Sequence, residues 1–270
     1  MSDPSPALLF DRRAWRLHRA RAERQGRVDF LREEVGARLT DRLDLVERVF
    51  PAALALGGVK LAGRASTEWI VGEEIVSDPE LVPFREASFD LVASNLLLHW
   101  AGDLPGALVQ LCRILRPGGL LLAAMLGGQT LVELRTALFE AELAEEGGVS
   151  PRVSPTVELS DAAALLQRAG FAKPVADSET ITVSYPDLPA LMRDLRGMGE
   201  TNALAARRRG FLRRATLARA AAIYAERFAG ADGRIPATFE VLFLTGWAPR
   251  PDDAKPRSGP RREIPQQRVT

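Results

Sequence analysis

The residues best suited to chemistry fall into a few groups along the chain. In residues 52–63, AALALGGVKLAG, a short apolar run of strand character breaks at Gly57 and Gly58. A glycine turn directly after a buried strand lets the backbone approach a ligand closely, as a nucleotide-like cofactor requires. Acids follow at Glu73, Glu74 and Asp78, and Asn95 lies just past the next strand end. Asn95 could hydrogen-bond a cofactor or substrate, or simply serve a turn. His99 stands beside Trp100. An imidazole is the natural general base near neutral pH, although a lone histidine is more often a satisfied packing residue. Arg152 lies in SPRVSP, a loop stiffened by prolines, where it could hold an anionic substrate group or pair with a surface acid. Glu200 and Asn202 lie in MGETN within a helical stretch, as partner contacts or as a helix boundary. The one cysteine, Cys112, allows no internal disulfide, and two histidines give no metal cluster, so no metal site is expected and a reducing compartment fits.

These residues need strands and helices to place them. Apolar runs predict strands at residues 52–56, 69–71, 75–76, 89–93 and 119–126, with a wetter strand at 181–185 and a strong one in ATFEVLFLTGWAP, residues 237–249. Runs without alternation are covered on both faces. The helix LPGALVQLCRIL, capped by Asp103 and stopped by Pro117-Gly118-Gly119, supplies a crossover between two of them, so the sheet is parallel. Two helices are expected between residues 10 and 49, one between 127 and 148, and a short one at 161–170 capped by Ser160 or Asp161. Residues 186–236 read as wholly helical. The alternation predicts an α/β fold with a doubly wound, Rossmann-like sheet and a ligand crevice at the carboxyl ends of its strands. Gly57-Gly58, the acids at 73–78 and residues 94–99 all fall at such ends.

Composition narrows the partners. With 46% hydrophobic residues in 270, one substantial core with elaborations or two modest ones are expected, and a net charge of +1 gives no overall field to draw nucleic acid or anionic lipid. The longest apolar runs are far short of the roughly 20 residues of a membrane helix. Asp11 and Glu23 interrupt the basic N-terminal run and no apolar stretch follows it, so a solvated helical arm is expected there rather than a secretory signal.

The runs LVPFREASFDLVASNLLLHW, RILRPGGLLLAAMLGG and DAAALLQRAGF resemble the class I S-adenosylmethionine-dependent methyltransferase superfamily. FDRR, MLGGQTLVELR, SPRVSP, LMRDLRGMGETNAL and ATFEVLFLTGWAP resemble one branch of it. That branch holds mitochondrial respiratory complex I assembly factor 5 and its alphaproteobacterial relatives, near the biotin-synthesis malonyl-carrier-protein methyltransferases. The resemblance spans residues 8 to 250. It implies a mostly parallel seven-stranded sheet ending in an antiparallel hairpin, with residues 186–236 inserted before the last strand as a helical cap. The chain then divides into an N-terminal helical arm (1–50), a methyltransferase-like domain (51–249) and a disordered tail (250–270).

The resemblance also implies S-adenosylmethionine as cofactor, with Gly57 and Gly58 against its methionine part, Glu73 or Glu74 at the ribose, Asp78 at the adenine amino group and Asn95 nearby. Two departures bear on it: Ala55 stands where the family has an acid, and Val59 where it has a second glycine. The family's elements between Gly57 and Asp78 need roughly 35 to 45 residues where this chain has about twenty, so the second crossover must be abbreviated. Arg152, Glu200 and Asn202 are implied on the substrate or partner side, with His99 as a candidate base. The implied partner is a protein substrate, such as an iron–sulfur subunit of complex I, in a bacterial cytoplasm, reaching the inner membrane only through that partner. Three functions stay open: a methyltransferase-family enzyme on a protein partner in complex I assembly, a protein arginine hydroxylase on this fold, and a non-catalytic scaffold with a degenerate cofactor loop.

Overall fold

The computed structural model describes residues 9–58, 68–71 and 78–254. Helix α1 (Arg12–Gln25) starts at Asp11, whose carboxylate accepts the Ala14 N–H at 3.0 Å, and is followed by α2 (Phe30–Asp44). Strands β1 (Ala52–Leu56), β2 (Glu68–Val71) and β3 (Phe89–Asn95) lead to a 3₁₀ turn, Leu98–Trp100. Next come α3 (Leu104–Ile114), β4 (Leu115–Leu126), α4 (Val132–Glu146) and α5 (Leu159–Arg168). The chain continues through β5 (Ala172–Tyr185), α6 (Leu188–Gly197), α7 (Arg214–Phe228) and β6 (Ile235–Trp247) to a 3₁₀ turn, Pro251–Ala254.

Among the described residues six strands, where seven are expected, form one sheet in the order β2-β1-β3-β4-β6-β5. β1 pairs in parallel with β2 and β3, β3 with β4, and β6 runs antiparallel to both its neighbours. This is the mostly parallel sheet with a reversed closing strand that the class I methyltransferase fold requires. Successive strand residues enter opposite cores. Ala53, Ala55, Leu120, Leu122 and Ala124 pack beneath α2, α4, α6 and α7, while Leu54, Leu56, Leu121, Ala123 and Met125 pack beneath α1, α3 and α5. Both faces being covered explains why β1 and β4 read as unbroken apolar runs. Among the described residues no helix is long and apolar enough to cross a membrane.

Several expectations need correction. β5 begins at Ala172 rather than at residue 181, as an edge strand whose charged residues Asp177 and Glu179 pair with Arg42, and Glu179 also with Arg38, both on α2. The helix expected from 161 starts at Leu159 with Glu158 at its N-cap and no side-chain cap, so neither Ser160 nor Asp161 caps it. Helix α3 stops at Ile114, ahead of the Pro-Gly-Gly, because the chain passes directly into β4; Gly118, at φ +76°, sits where the β3–β4 register shifts. Residues 186–236 hold two helices, with the non-helical segment 198–213 between them.

The arm is no separate unit, since α2 buries Leu31, Val35, Leu39 and Leu43 in the same core as the sheet. Residues 251–254 form a turn, and the tail beyond them lies outside the described residues. So do the strand expected at 75–76 and the acids Glu73 and Glu74.

Candidate functional site

A cavity of about 370 Å³ opens at the carboxyl ends of the central strands. His99 and Trp100, from the 3₁₀ turn after β3, line it together with Leu126 at the end of β4. Leu131, Leu134 and Leu138 of α4 form one wall, and the loop around Arg152, the end of α6 and residues 200–202 and 210–212 form the rest. The predominantly apolar lining makes the few charged groups decisive.

Local sequence places Glu200 here. Helix α6 ends in a Schellman turn: the Gly199 N–H reaches the Arg196 carbonyl at 3.1 Å and the Glu200 N–H the Leu195 carbonyl at 2.9 Å. Gly199 takes φ +80°, which a side chain would strain, and packs against the Arg19 backbone of α1. The chain thereby reverses and sends Glu200 inward. The next residues are held by α1, where the Asp11 N–H donates to the Ala203 carbonyl at 2.7 Å, the Ala205 N–H to the Leu9 carbonyl at 2.9 Å, and the His18 ring meets the Thr201 carbonyl. Phe10 packs edge-on against Trp100, with ring centroids 5.1 Å apart.

Glu200 Oε2 lies 3.2 Å from His99 Nε2, and Trp100 Nε1–H reaches Oε1 at 3.4 Å. On its other side the imidazole accepts the Leu126 N–H at Nδ1, at 3.5 Å. Backbone donation to Nδ1 puts the proton on Nε2, so His99 donates to Glu200. With both nitrogens engaged, the imidazole is a support, and the carboxylate is the group left facing the cavity. Burial alone would raise the Glu200 carboxyl, but the hydrogen bond from His99, with the Arg32 charge and the Trp100 N–H, outweighs it and holds the carboxyl below its ordinary value. Glu200 is an anion at the cavity floor. Two leucines with left-handed backbone stand at the same end of the sheet, Leu96 at φ +48° and Leu131 at φ +54°, a strain that surrounding structure must enforce.

The glycine turn lies beside this cavity. Gly57 has φ +75°, and a Cβ there would stand 2.0 Å from the Asn95 carbonyl oxygen, so β1 and β3 close on each other at their ends. Gly58 has φ +72°. Arg32 of α2 donates to the Gly57 carbonyl, and its own carbonyl accepts the Asn95 Nδ2–H at 2.9 Å. Asn95 Oδ1 and Ser94 Oγ are buried with no hydrogen-bond partner among the described residues. S-adenosylmethionine finds a partial fit here. The turn and the unpartnered Asn95 oxygen suit an amino group, but the acid position is the buried methyl of Ala55, and the space against Gly57 is filled by the protein's own backbone.

The other sequence candidates have structural partners. Asp78 accepts the Glu80 N–H and pairs with Arg12 at 3.3 Å. Arg152 is held by the buried Glu142, with Nε 2.9 Å from Oε1, and Ser150 adds two donors to the same carboxylate. Burial would raise Glu142, but Arg152 and Ser150 together hold it below its ordinary value. Asn202 donates to the Pro151 carbonyl at 2.8 Å and accepts the Leu204 N–H at 3.0 Å, latching the 150s loop to the cap. Thus His99, Arg152, Glu200 and Asn202 all line the cavity, while Gly57, Gly58 and Asn95 cluster beside α2. Sequence reasoning did not single out Arg32 or Glu142, charged residues on α2 and α4 whose partners lie in distant segments or in a loop.

A family profile described as "Methyltransferase domain" matches residues 37–123. The chain is 41% identical over 254 residues to "Arginine-hydroxylase NDUFAF5, mitochondrial" of Danio rerio, covering 85% of this chain and 78% of that protein. It is 39% identical to the protein of the same name from Homo sapiens, covering 94% and 81%. It is also 36% identical to a "Malonyl-[acyl-carrier protein] O-methyltransferase" of Halorhodospira halophila, covering 91% and 90%. Relatives this similar over most of their length, on a sheet of this topology, establish that the chain belongs to the class I S-adenosylmethionine-dependent methyltransferase superfamily, in the branch shared by the NDUFAF5 proteins and the malonyl-carrier-protein methyltransferases.

Proposed function

We propose that this protein is a methyltransferase-fold enzyme that acts on a protein partner in the assembly of respiratory complex I, taking an arginine side chain of that partner into the cavity. The observation that carries this is Glu200, an ionised carboxylate at the floor of a mostly apolar cavity. A carboxylate offers about four acceptor sites, of which His99 and Trp100 use two. A guanidinium is planar and permanently charged, so it can pair side-on with the remaining sites while its aliphatic stem packs on leucines. The name of the mitochondrial relatives, arginine hydroxylase, supports this choice of side chain. The malonyl group of the bacterial relatives' substrate is an anion, which an ionised Glu200 disfavours.

The test is calorimetric titration with S-adenosylmethionine, S-adenosylhomocysteine and an arginine-containing peptide of a complex I iron–sulfur subunit. The expected result is saturable binding of the peptide that disappears when its arginine becomes alanine and weakens in Glu200→Gln. Equal binding of the two peptides would sink the arginine assignment. A second reading, a non-catalytic assembly scaffold, is favoured by Ala55 and by the close contact of Gly57 with Asn95. Peptide binding with no cofactor binding up to millimolar concentration would select it.

A further inference from the structure

The mouth of the cavity is edged by a segment unlike the rest of the surface. Residues 207–214 read RRRGFLRR. Two of its arginines anchor it: Arg207 donates to Asp11 at 2.9 Å and to the Leu204 carbonyl at 2.8 Å, and Arg208 pairs with Glu146. Between the two basic runs Phe211 is 99% exposed, and with Gly210 and Leu212 it borders the cavity. The side chains of Arg209, Arg213 and Arg214 are exposed and make no hydrogen bond or ion pair among the described residues. Asp11 and Glu146, which feel the charges of Arg209 and Arg213, are already paired with Arg207 and Arg208. Arg196, exposed on the last turn of α6 and also at the mouth, likewise has no partner among the described residues.

Four unpaired guanidinium groups around a bare phenyl ring form an unfavourable free surface. The like charges repel one another, and the ring is left fully in water. The chain as a whole carries a net charge of +1, so this accumulation is local. Arginine and aromatic side chains are also the types enriched where protein interfaces are tightest.

We infer that residues 207–214, with Arg196, form the docking surface for an acidic segment of the protein partner. Its carboxylates pair with Arg196, Arg209, Arg213 and Arg214, and an apolar side chain covers Phe211. A polypeptide is favoured over a lipid surface or a nucleic acid by what lies inside the rim. The floor is the Glu200 anion, so the occupant must bring acids to the mouth and a non-anionic group inward, which a mixed peptide does and a phosphate polymer does not. The inference deepens the function proposed above and rests on it only for the side chain delivered to the cavity; the rim contact stands separately.

The experiment uses the full chain and a fluorescein-labelled peptide of glutamates flanking a central leucine–arginine pair, read by fluorescence polarisation. Binding that weakens with salt is expected, falling at least about tenfold in Arg209→Glu/Arg213→Glu and about threefold to tenfold in Phe211→Ala. An equal charge reversal at the amino end of the sheet, Arg168→Glu/Lys173→Glu, should leave binding within about twofold, since charges further apart than about 10 Å are screened at ordinary salt. Equal losses in the two double variants would reduce the effect to general electrostatics and overturn the proposal, as would an unaltered Phe211→Ala. Tighter binding to phosphatidylglycerol vesicles or to a single-stranded oligonucleotide than to the peptide would also overturn it. If Glu200→Gln leaves peptide affinity unchanged while the rim variants lose it, the docking surface stands and the arginine assignment fails.

Discussion

Glu200 meets His99 at 3.2 Å although 101 positions separate them in the chain. Neither residue announces the other: His99 follows a strand end, and Glu200 follows a helix terminator. They meet because α1 pins residues 203–205 on one side and Gly199 turns the chain on the other. The resulting ionised carboxylate makes the stability of the fold depend on acid pH. A carboxyl whose folded pKa is lowered stabilises fully above its unfolded value, about 4.3, and loses that contribution as pH falls through the lower folded value. Glu200→Gln should therefore cost about 1–2 kcal/mol at pH 7, or about 2–8 °C in Tm. The difference from wild type should shrink as pH falls below about 4.3 and through the lower folded value. Thermal melts of both proteins from pH 7 into the acid range provide the check; a gap that persists undiminished at low pH would rule out the ionised carboxylate.

Arg152 offers a sharper separation between binding and structural roles. Its guanidinium faces a Glu142 side chain only 2% exposed, and removing one partner of a buried ion pair leaves an uncompensated charge. Arg152→Ala should cost about 3–5 kcal/mol, visible as a lowered denaturant midpoint without any ligand. Arg152→Ala/Glu142→Leu should recover much of it, because the stranded charge is gone. If Arg152 instead served only to hold a substrate anion, the single variant would melt like wild type.

How much of this was legible in the sequence depended on whether the signal was local. β1, β3 and β4 could be read because burial on both faces makes their apolar runs continuous, and the stops at Gly147 and Gly170 because left-handed positions select glycine. The first half of β5 could not. It lies at the sheet edge, carries Lys173, Asp177 and Glu179, and includes Pro174 where the pairing register shifts. Charges and proline on an edge strand are what keep it from pairing with other chains, and they also hide it from a search for hydrophobic alternation. The site was legible in its members and illegible in its pairing. Arg152 and Glu142 are only ten residues apart, yet nothing in a helical acid signals that the following loop folds back over it and buries it.

The arm should behave as part of the site. Phe10 is 2% exposed, packs on Trp100 and forms a bridge with Leu204, so it ties α1 to the segment that carries Glu200. Phe10→Ala should cost about 3–5 kcal/mol, as for other buried phenylalanines. Amide exchange in residues 198–207 should accelerate more than in α7, which packs elsewhere on α4. Uniform acceleration across the whole molecule would mean that the arm supports the fold generally and not this segment.

The glycine turn provides the last test, because its two uses make different demands. If Gly57 is needed chiefly for a cofactor, alanine there should spare the apo-protein and remove only ligand binding. The structure requires the opposite. An alanine methyl would stand 2.0 Å from the Asn95 carbonyl oxygen and 2.9 Å from its carbonyl carbon, at a φ of +75° that alanine disfavours. Gly57→Ala should then cost more than about 4 kcal/mol, in the range reserved for severe backbone conflicts, in the absence of any ligand. Gly147→Ala is the matched control: its φ is +69° but nothing lies within 4 Å of the added carbon, so only the left-handed strain remains, about 1–2 kcal/mol. Urea melts of the two apo-variants decide between these demands. A Gly57→Ala protein as stable as Gly147→Ala would show that the strand ends can part, and that the space against Gly57 is open to a ligand after all.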